Sequence, residues 1–308
     1  MAKIVVVGAG AVGSFFGGLL AKAGESVTLV GRAAHLQAIR AHGLRIDSKA
    51  WGREEVIHGF ELSETIEPIA HADLILFCLK SGQTQAMAER MQTLLPEQAV
   101  VLSMQNGVEN PEILQSCLPR ARIVPVAVYV ALSLAEPGLV RHFGRGELVV
   151  GPTSPWLEAT AERLRKAGIG VTVSNQVMWD LWLKLVVNTA FNAISAVTQK
   201  TYGQMFAEPS VQATVQQLTC EAVAVAQAEG HDITFEQGWQ AVQAIAESMA
   251  GQRSSTAQDL AAGKPTEIDF LNGTVARRAE AHGLSVPVTK ALWSMVRLME
   301  GRVREEAR

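Results

Sequence analysis

Short apolar runs and helical stretches alternate along the first half of the chain. A β-branched run at Lys3–Val7 is followed by glycines and by an Ala/Leu/Gly-rich helical stretch that ends near Lys22, and a second run covers Ser26–Val30. Further strands are predicted over 72–80, 100–104, 122–130 and Gly170–Val173, with a hairpin over Leu139–Val150 about Gly144-Arg145-Gly146 and a helix over 155–167. Strands that alternate with helices in this way are typical of an α/β domain with a parallel sheet.

The strand pattern disappears from about residue 176 onward. Helical periodicity predicts helices over 177–197, 209–229, 235–247, 266–282 and 288–300, with Gly230, Gly263-Lys264-Pro265 and Gly283 as stop signals. The second half is therefore predicted to be all-α, and a small-molecule site is expected in a cleft between the two domains.

The turn between the first strand and the first helix has the sequence Gly8-Ala9-Gly10-Ala11-Val12-Gly13. In a Rossmann unit the first glycine allows the tight turn, the second lets the backbone approach a pyrophosphate, and the third lets helix and strand pack closely. The phosphate then rests on the amides of the helix N-terminus. We therefore predict a doubly wound Rossmann-type dinucleotide-binding domain at 1–175 and an all-α substrate and catalytic domain at 176–308.

The residue after the second strand indicates which dinucleotide is bound. An NAD-binding domain typically has Asp or Glu there, about 20 residues after the glycines, to accept hydrogen bonds from the ribose. This chain has Gly31-Arg32 instead, and a guanidinium can pair with the 2′-phosphate of NADP(H). The alternative is that Arg32 is an ordinary solvated arginine.

Two further polar residues stand at predicted strand ends, where ligands of open α/β sheets collect. Lys80 ends the run at 72–80, and Asn106 follows the strand at 100–104. Asn106 is well placed to touch the nicotinamide ribose, although Asn106-Gly107 can also be only a turn. His142, inside the predicted hairpin, is interpreted as structural.

The apolar helix predicted at 177–197 carries four polar residues in one register. Asp180, Lys184, Asn188 and Asn192 are spaced by four, so they share one face, which we call the polar ridge. A buried ammonium without partners is costly, so the ridge is either satisfied internally or faces a wet cleft that holds a ligand. We favour the cleft. Asp180 either pairs with Lys184 or is an ordinary acid near a helix start.

A second polar segment precedes the helix predicted at 266–282. Thr266 with Asp269 three residues on resembles a capping box, so Thr266 is predicted to be the N-cap and Glu267 the first helical residue. There Glu267 would complement the helix dipole, which would keep it ionised. If Glu267 faces the cleft, it would accept hydrogen bonds and orient a hydroxyl or the cofactor.

Composition excludes several classes of function. Lys and Arg number 27 against 30 for Asp and Glu, so no basic excess indicates nucleic-acid binding, and the 7 histidines lack the spacing of metal ligands. Three scattered cysteines fit a reducing compartment without a disulfide framework. Two residues precede the first strand, and no apolar run approaches the roughly 18 to 20 residues of a membrane span. We expect a cytoplasmic protein with no metal, no nucleic-acid partner and no membrane association.

Taken together, these residues resemble the ketopantoate reductase (2-dehydropantoate 2-reductase) family over nearly the whole chain. The resemblance is carried by the GAGAVG run, Arg32, Leu79-Lys80, Gln105-Asn106-Gly107-Val108, Pro137-Gly138 with Val140-Arg141-His142, Leu181-Trp182-x-Lys184 with Asn188 and Asn192, and Ser255 through Pro265-Thr266-Glu267-Ile268-Asp269 to Asn272-Gly273. The last two blocks are more specific than the glycine run.

The resemblance implies NADPH-dependent reduction of the 2-keto group of ketopantoate to (R)-pantoate, a step of pantothenate and coenzyme A biosynthesis. It implies that Lys184 is the general acid, that Lys184, Asn188, Asn192 and Ser255 contact the substrate, that Lys80 and Asn106 contact the cofactor, and that Glu267 orients the reactants. The chain departs from the family pattern at Leu183, Thr256 and Tyr202. These departures concern the identity of the 2-oxo acid.

Two other functions remain open at this point. A related β-hydroxyacid dehydrogenase or another NADP-dependent reductase would act on a different 2-oxo or hydroxy acid. A non-enzymatic NADP(H) sensor would use the cofactor to bias a conformation and would have no need of Lys184. The long helix predicted at 209–229 fits both a monomer and a homodimer.

Overall fold

The chain divides into two compact units in a computed structural model that describes residues 3–97 and 99–306. The first unit comprises Met1–Gln105 and Asn110–Val177, and the second comprises Asn106–Glu109 and Met178–Arg308. A four-residue loop therefore leaves the first unit and packs with the second.

The first unit contains ten strands, five α-helices and two 3-10 turns within the described residues. The strands are β1 Lys3–Val7, β2 Ser26–Val30, β3 Leu44–Ser48, β4 Arg53–Ile57, β5 Glu61–Ser63, β6 Leu74–Phe77, β7 Val100–Ser103, β8 Arg122–Glu136, β9 Leu139–Val150 and β10 Gly170–Val173. The helices are α1 Ala11–Lys22, α2 Ala33–His42, α3 Thr84–Met91, α4 Asn110–Cys117 and α5 Pro155–Lys166, and the 3-10 turns are Glu67–His71 and Ser81–Gln83.

Six of these strands form a parallel sheet in the order β5-β2-β1-β6-β7-β8. Alternate side chains along each strand enter two different cores. Ile4 and Val6 of β1 pack in a cluster that includes Phe16 of α1, whereas Val5 and Val7 pack in a second cluster that includes helices α3 and α4. Apolar layers on both faces explain why these strands read as continuous hydrophobic runs. The predicted α/β class with a doubly wound N-terminal sheet is confirmed.

The prediction of a hairpin about Gly144-Arg145-Gly146 is wrong. Leu139–Val150 is one continuous strand, β9, which pairs antiparallel with β8. The chain reverses instead at Pro137-Gly138, where Gly138 has a φ of 81°. Residues 144–146 form an irregularity, because the register shifts between Tyr129 and Val130 and again between Ala131 and Leu132, and Arg145 has a φ of 63°. Glycines at a bulge and glycines at a turn give the same sequence signal.

The second unit is helical within its described residues. Its helices are α6 Val177–Thr198, α7 Tyr202–Phe206, α8 Pro209–Ala228, α9 Phe235–Ser248, α10 Ser255–Ala261, α11 Asn272–Ala281 and α12 Pro287–Glu306, with a 3-10 turn at Ile268–Phe270. The predicted helices at 209–229 and 235–247 agree with α8 and α9 to within one residue. Ala190 and Phe191 of α6 pack in one apolar cluster and Ala193 and Ala196 in another.

The predicted helix over 266–282 begins later than expected. Residues 268–270 form a 3-10 turn, the backbone leaves helical geometry at Leu271, and α11 starts at Asn272. Asp269 completes no capping box, since its carboxylate accepts a hydrogen bond from Trp293 Nε1 at 2.7 Å. Within the described residues, the Thr266 hydroxyl accepts from the backbone N–H of Ile268, at 3.2 Å. Thr266 is therefore not the N-cap of α11, and Glu267 does not lie in the first turn of that helix, where it would interact with the helix dipole.

Helix α6 corrects the expectation that no segment reaches membrane-span length and apolarity. Among the described residues it is one helix that is long and apolar enough to cross a membrane. Burial favours a core helix, since 67% of its most apolar segment lies inside the protein.

Candidate functional site

The glycine turn of the first unit leaves open space at the start of α1. Gly8 has a φ of +105°, and a Cβ there would lie 2.9 Å from the backbone of Cys78 and Leu79. A Cβ on Gly13 would overlap the carbonyl oxygen of Gly8 and lie 2.8 Å from Val6. Gly10 is different, because a Cβ there would meet nothing within 4 Å. Gly10 is also the N-cap of α1 and supplies no side-chain cap, so this helix end is shaped to receive a phosphate on its first amides.

Arg32 follows β2 directly and is the N-cap residue of α2. Gly31 allows this approach, since a Cβ on it would lie 2.9 Å from the Cβ of Ala9 in the glycine turn. The Arg32 side chain is exposed and makes no ion pair or hydrogen bond within the described part of the chain. Both the predicted role at a 2′-phosphate and a solvated arginine fit this exposure.

A buried hydrogen-bond network holds the two strand ends that carry Lys80 and Asn106. Thr84 donates to Asn110 Oδ1 at 2.8 Å and accepts from Gln105 Nε2 at 2.7 Å. Asn110 Nδ2 donates to Ser81 Oγ at 3.0 Å, and Ser81 adjoins Lys80. Sequence reasoning missed this network, although polar residues directly after two apolar strands were a signal for it.

The loop Asn106–Glu109 is fixed at its far end by charge. Glu109 Oε2 accepts hydrogen bonds from Thr274 Oγ1 and Arg277 Nη2, both at 2.8 Å, and Arg278 Nε lies 3.8 Å from the same carboxylate. Glu109 therefore anchors to α11 the segment that presents Asn106.

The polar ridge lies on the least buried face of α6. Asp180, Lys184 and Asn188 are half-buried, whereas Asn192 is 2% exposed. Burial raises the pKa of the Asp180 carboxyl, and a paired Lys184 ammonium would act in the opposite direction. This favours Asp180 as an acid near a helix start rather than the partner of Lys184.

Residue Ser255 is brought next to the ridge by its neighbour Ser254. Ser254 is the N-cap of α10, its backbone N–H donates to Ser195 Oγ at 3.1 Å, and its hydroxyl donates to the carbonyl of Asn192 at 3.4 Å. Ser255 is the first residue of α10 and is exposed. Ser254 thus holds the start of α10 against the backbone of α6 at Asn192.

The start of α11 approaches the middle of the ridge helix. Asn272 is fully buried, and its Nδ2 donates to the carbonyl of Thr189 at 3.2 Å. Asn272 Oδ1 and Thr189 Oγ1 are buried atoms that find no hydrogen-bond partner among the described residues. Glu267 is half-buried and lies just before the 3-10 turn that leads to this point.

Tyr202, one of the departures from the family pattern, packs in the core of the second unit. Tyr202 is 8% exposed, and its ring packs edge-on against Phe191 with centroids 5.1 Å apart. Burial raises the pKa of the Tyr202 phenol to about 12, so the hydroxyl stays protonated. Leu183 is half-buried beside the ridge, and Thr256 is buried with its hydroxyl lacking a partner in the described ranges.

No group of three His, Cys, Asp or Glu residues among the described positions could hold a metal ion.

Two family models together account for most of the chain. The ketopantoate reductase PanE/ApbA model matches residues 4–155, and the model of the C-terminal domain of the same family matches residues 176–300. The chain belongs to the ketopantoate reductase PanE/ApbA family. The resemblance inferred from the residues is thereby confirmed.

Individual members of the family align over nearly the full length. A 2-dehydropantoate 2-reductase of Halobacterium salinarum is 32% identical over 97% of this chain and 99% of its own. A crystal structure of a PanE/ApbA family ketopantoate reductase from Ralstonia eutropha JMP134 has a TM-score of 0.92 at 44% identity, covering 98% of this chain and 99% of that one. A D-mandelate dehydrogenase solved with NADH and anilino(oxo)acetate has a TM-score of 0.89 at 26% identity, with 98% and 99% covered.

Proposed function

We propose that the protein is an NADPH-dependent 2-dehydropantoate 2-reductase that converts ketopantoate to (R)-pantoate in pantothenate and coenzyme A biosynthesis. The observation that carries the proposal is the polar ridge: a lysine, a half-buried carboxamide and a buried carboxamide lie on one face of α6. That set of side chains suits a small polar substrate that carries a ketone and a carboxylate. Membership of the family supports the same reaction.

The first unit binds the phosphates of the cofactor in this proposal. The amides after Gly10 would receive the pyrophosphate, because the glycine leaves that space open and α1 has no side-chain cap. Arg32 would pair with the 2′-phosphate, and Lys80 and Asn106 would contact the nicotinamide half. When bound, the reduced nicotinamide supplies a hydride to the C2 carbon of the substrate.

Lys184 is the proton donor of this reaction. As the ketone carbon receives the hydride, negative charge grows on its oxygen, and an ammonium at that oxygen both stabilises the charge and transfers a proton. The products are the C2 alcohol, the oxidised cofactor and a neutral lysine that regains its proton from solvent. Asn188, Asn192 and Ser255 bind the rest of the substrate, and Glu267 orients the reacting groups.

The experiment is a panel of 2-oxo acids assayed with NADPH and with NADH. We expect ketopantoate with NADPH to give the highest kcat/KM. With NADH we expect a lower kcat/KM, because its ribose has a neutral 2′-hydroxyl in place of the charged 2′-phosphate that Arg32 would bind. Turnover of ketopantoate no faster than of unbranched 2-oxo acids would contradict the proposed substrate. Equal use of both cofactors would contradict the role of Arg32.

A second candidate is a D-2-hydroxyacid dehydrogenase for a larger substrate. The similarity to D-mandelate dehydrogenase over 98% of the chain favours it, since that structure holds NADH and an aromatic 2-oxo acid derivative. The same panel separates the two, because this candidate requires the aromatic 2-oxo acid that corresponds to mandelate to exceed ketopantoate.

We also propose a cytoplasmic homodimer. The three cysteines are free thiols, which suits a reducing compartment. Met295 and Leu298 of α12 are 49% and 71% exposed, and apolar side chains of this size on one helix support self-association. A ketopantoate reductase of Staphylococcus aureus that shares the fold at 21% identity is described as dimeric. Light scattering of the wild type and of Leu298→Asp tests this, and a wild type that is monomeric at every concentration contradicts it.

A further inference from the structure

Three elements of the first unit meet at the buried side chain of His35. This residue lies in the first turn of α2, three residues after Arg32, and is 5% exposed. Its Nδ1 accepts a hydrogen bond from the backbone N–H of Gly138, in the turn between β8 and β9, at 2.9 Å. Its Nε2 lies 2.9 Å from Oγ of Ser14 in α1. The ring therefore joins the helix that starts at Arg32 to the helix that starts at the glycine turn.

Chemistry fixes the protonation of this ring. A backbone N–H can only donate, so Nδ1 is unprotonated, and the proton on Nε2 donates to the Ser14 hydroxyl. Burial also lowers the pKa of His35, which favours the neutral form. Both hydrogen bonds therefore hold at neutral pH.

The surrounding packing leaves the start of α2 little freedom. A Cβ on Gly138 would lie 3.0 Å from Ala38 in α2, so the β8–β9 turn rests directly on this helix. The carbonyl of Arg32 accepts hydrogen bonds from the backbone N–H groups of His35 and Leu36, both at 3.1 Å. The Arg32 backbone is thus fixed through His35, while its guanidinium remains exposed.

We propose that His35 is a positioning residue for cofactor selection, which holds the start of α2 against α1 so that Arg32 stands where the 2′-phosphate of NADPH binds. This inference rests on the proposed role of Arg32. A long arginine on a mobile backbone would lose conformational entropy on binding the phosphate, and a fixed backbone reduces that loss. His35 is therefore expected to affect NADPH, which carries the 2′-phosphate, more than NADH.

The test measures the dissociation constants of NADPH and NADH by titration calorimetry, without substrate, for His35→Leu and Arg32→Ala. We expect Arg32→Ala to weaken NADPH binding by about 10- to 100-fold and His35→Leu by about 3- to 10-fold, with NADH within about twofold of wild type in both. We expect kcat at saturating NADPH to stay near the wild-type value in His35→Leu, because the effect is on binding.

His142 offers a matched control in the same unit. It is 1% exposed, its Nδ1 accepts from Ser48 Oγ at 2.8 Å, and its Nε2 donates to the carbonyl of Arg145 at 2.7 Å. It thus also bridges a serine and a backbone group but makes no hydrogen bond to α2. We expect His142→Leu to lower stability while leaving the ratio of the NADPH and NADH constants unchanged.

Two milder variants keep the test decisive if His35→Leu does not fold. Ser14→Ala removes one hydrogen bond of His35, and His35→Asn keeps an acceptor for Gly138 while losing the donor to Ser14. Each is expected to shift the NADPH to NADH ratio in the same direction as His35→Leu, by a smaller factor.

The outcomes separate the inference from the proposed function. If Arg32→Ala loses the preference for NADPH but the His35 variants keep it, or if His35→Leu and His142→Leu weaken both cofactors alike, His35 is only structural and the inference is overturned. If Arg32→Ala keeps the preference, the proposed role of Arg32 fails, whatever His35 does.

Discussion

At the scale of single residues, the glycine turn separates a requirement of the fold from a requirement of binding. Gly13 has no room for a Cβ because the carbonyl of Gly8 and the side chain of Val6 occupy that space. Gly10 has open space around it and a φ of −85°, which any residue adopts. The sequence motif marks both positions, yet only the structure shows that they are needed for different reasons.

We therefore expect Gly10→Ala to impair mainly cofactor binding and Gly13→Ala to impair mainly stability. Gly10→Ala should weaken NADPH binding by about tenfold or more, because a methyl group enters the phosphate space, and should cost about 1 kcal/mol or less of unfolding free energy. Gly13→Ala should cost about 3 kcal/mol or more through the clash. Denaturant unfolding of the cofactor-free protein and NADPH titration provide the two readouts. Equal destabilisation by both substitutions would refute this division.

Non-local partners limit what the sequence reveals at this scale. The spacing of the polar ridge is a local property of one helix, so its shared face could be predicted. The role of Asp269 could not, because its partner Trp293 lies 24 residues away and removes it from the expected capping box. The network around Thr84 and Asn110 joins residues 26 positions apart and was missed for the same reason.

At the scale of elements, helix α12 is held by a charge from another helix. Glu221 of α8 is 4% exposed, and its two carboxylate oxygens accept from the backbone N–H groups of Val288 and Thr289 at 3.2 and 2.9 Å. These are amides that a helix start leaves unpaired, and a carboxylate there also interacts favourably with the helix dipole. A charged residue on the buried face of α8 was the sequence signal for such a contact.

Replacing this carboxylate tests its contribution to stability. We expect Glu221→Ala to lower the unfolding free energy by about 2 to 3 kcal/mol, since two backbone amides, one of them buried, lose a charged acceptor. Glu208→Ala is the control, because Glu208 also caps a helix, accepting from Ser210 N–H, but is exposed and should cost about 1 kcal/mol or less. Urea denaturation measures both. A cost for Glu221→Ala no greater than that for Glu208→Ala would show that burial adds nothing here.

Helices and strands could be predicted from the sequence where their own residues, rather than a distant pairing partner, determine the structure. Strands β1, β2, β6 and β7 are buried on both faces and read as apolar runs, whereas β4 has the sequence REEVI and depends on pairing with β3. The turn at Pro137-Gly138 was visible, but the continuity of β9 through Gly144 and Gly146 depends on its long pairing with β8. Long-range pairing therefore accounts for the strands that were missed, β3, β4 and β5.

At the scale of the whole molecule, the two units divide the proposed chemistry. The first unit contains the open glycine turn and Arg32, and the second contains the polar ridge with Ser255 and the loop of Asn106. Binding of the cofactor and transfer of the proton should therefore respond to different substitutions. The change in periodicity near residue 176 was the basis of the predicted boundary between 1–175 and 176–308, but it carried no signal that the loop Asn106–Glu109 groups with the second unit.

The most direct test of the central claim is to measure kcat with ketopantoate and the dissociation constant of NADPH on Lys184→Ala, beside the control Lys200→Ala. Lys200 follows α6 and is exposed, so its loss should change neither quantity by more than about twofold. If Lys184 donates the proton, its replacement should lower kcat by about 10²- to 10⁴-fold while NADPH binding stays within about twofold of wild type. A Lys184→Ala protein that keeps wild-type turnover, or that loses NADPH binding and turnover in equal measure, would contradict the account.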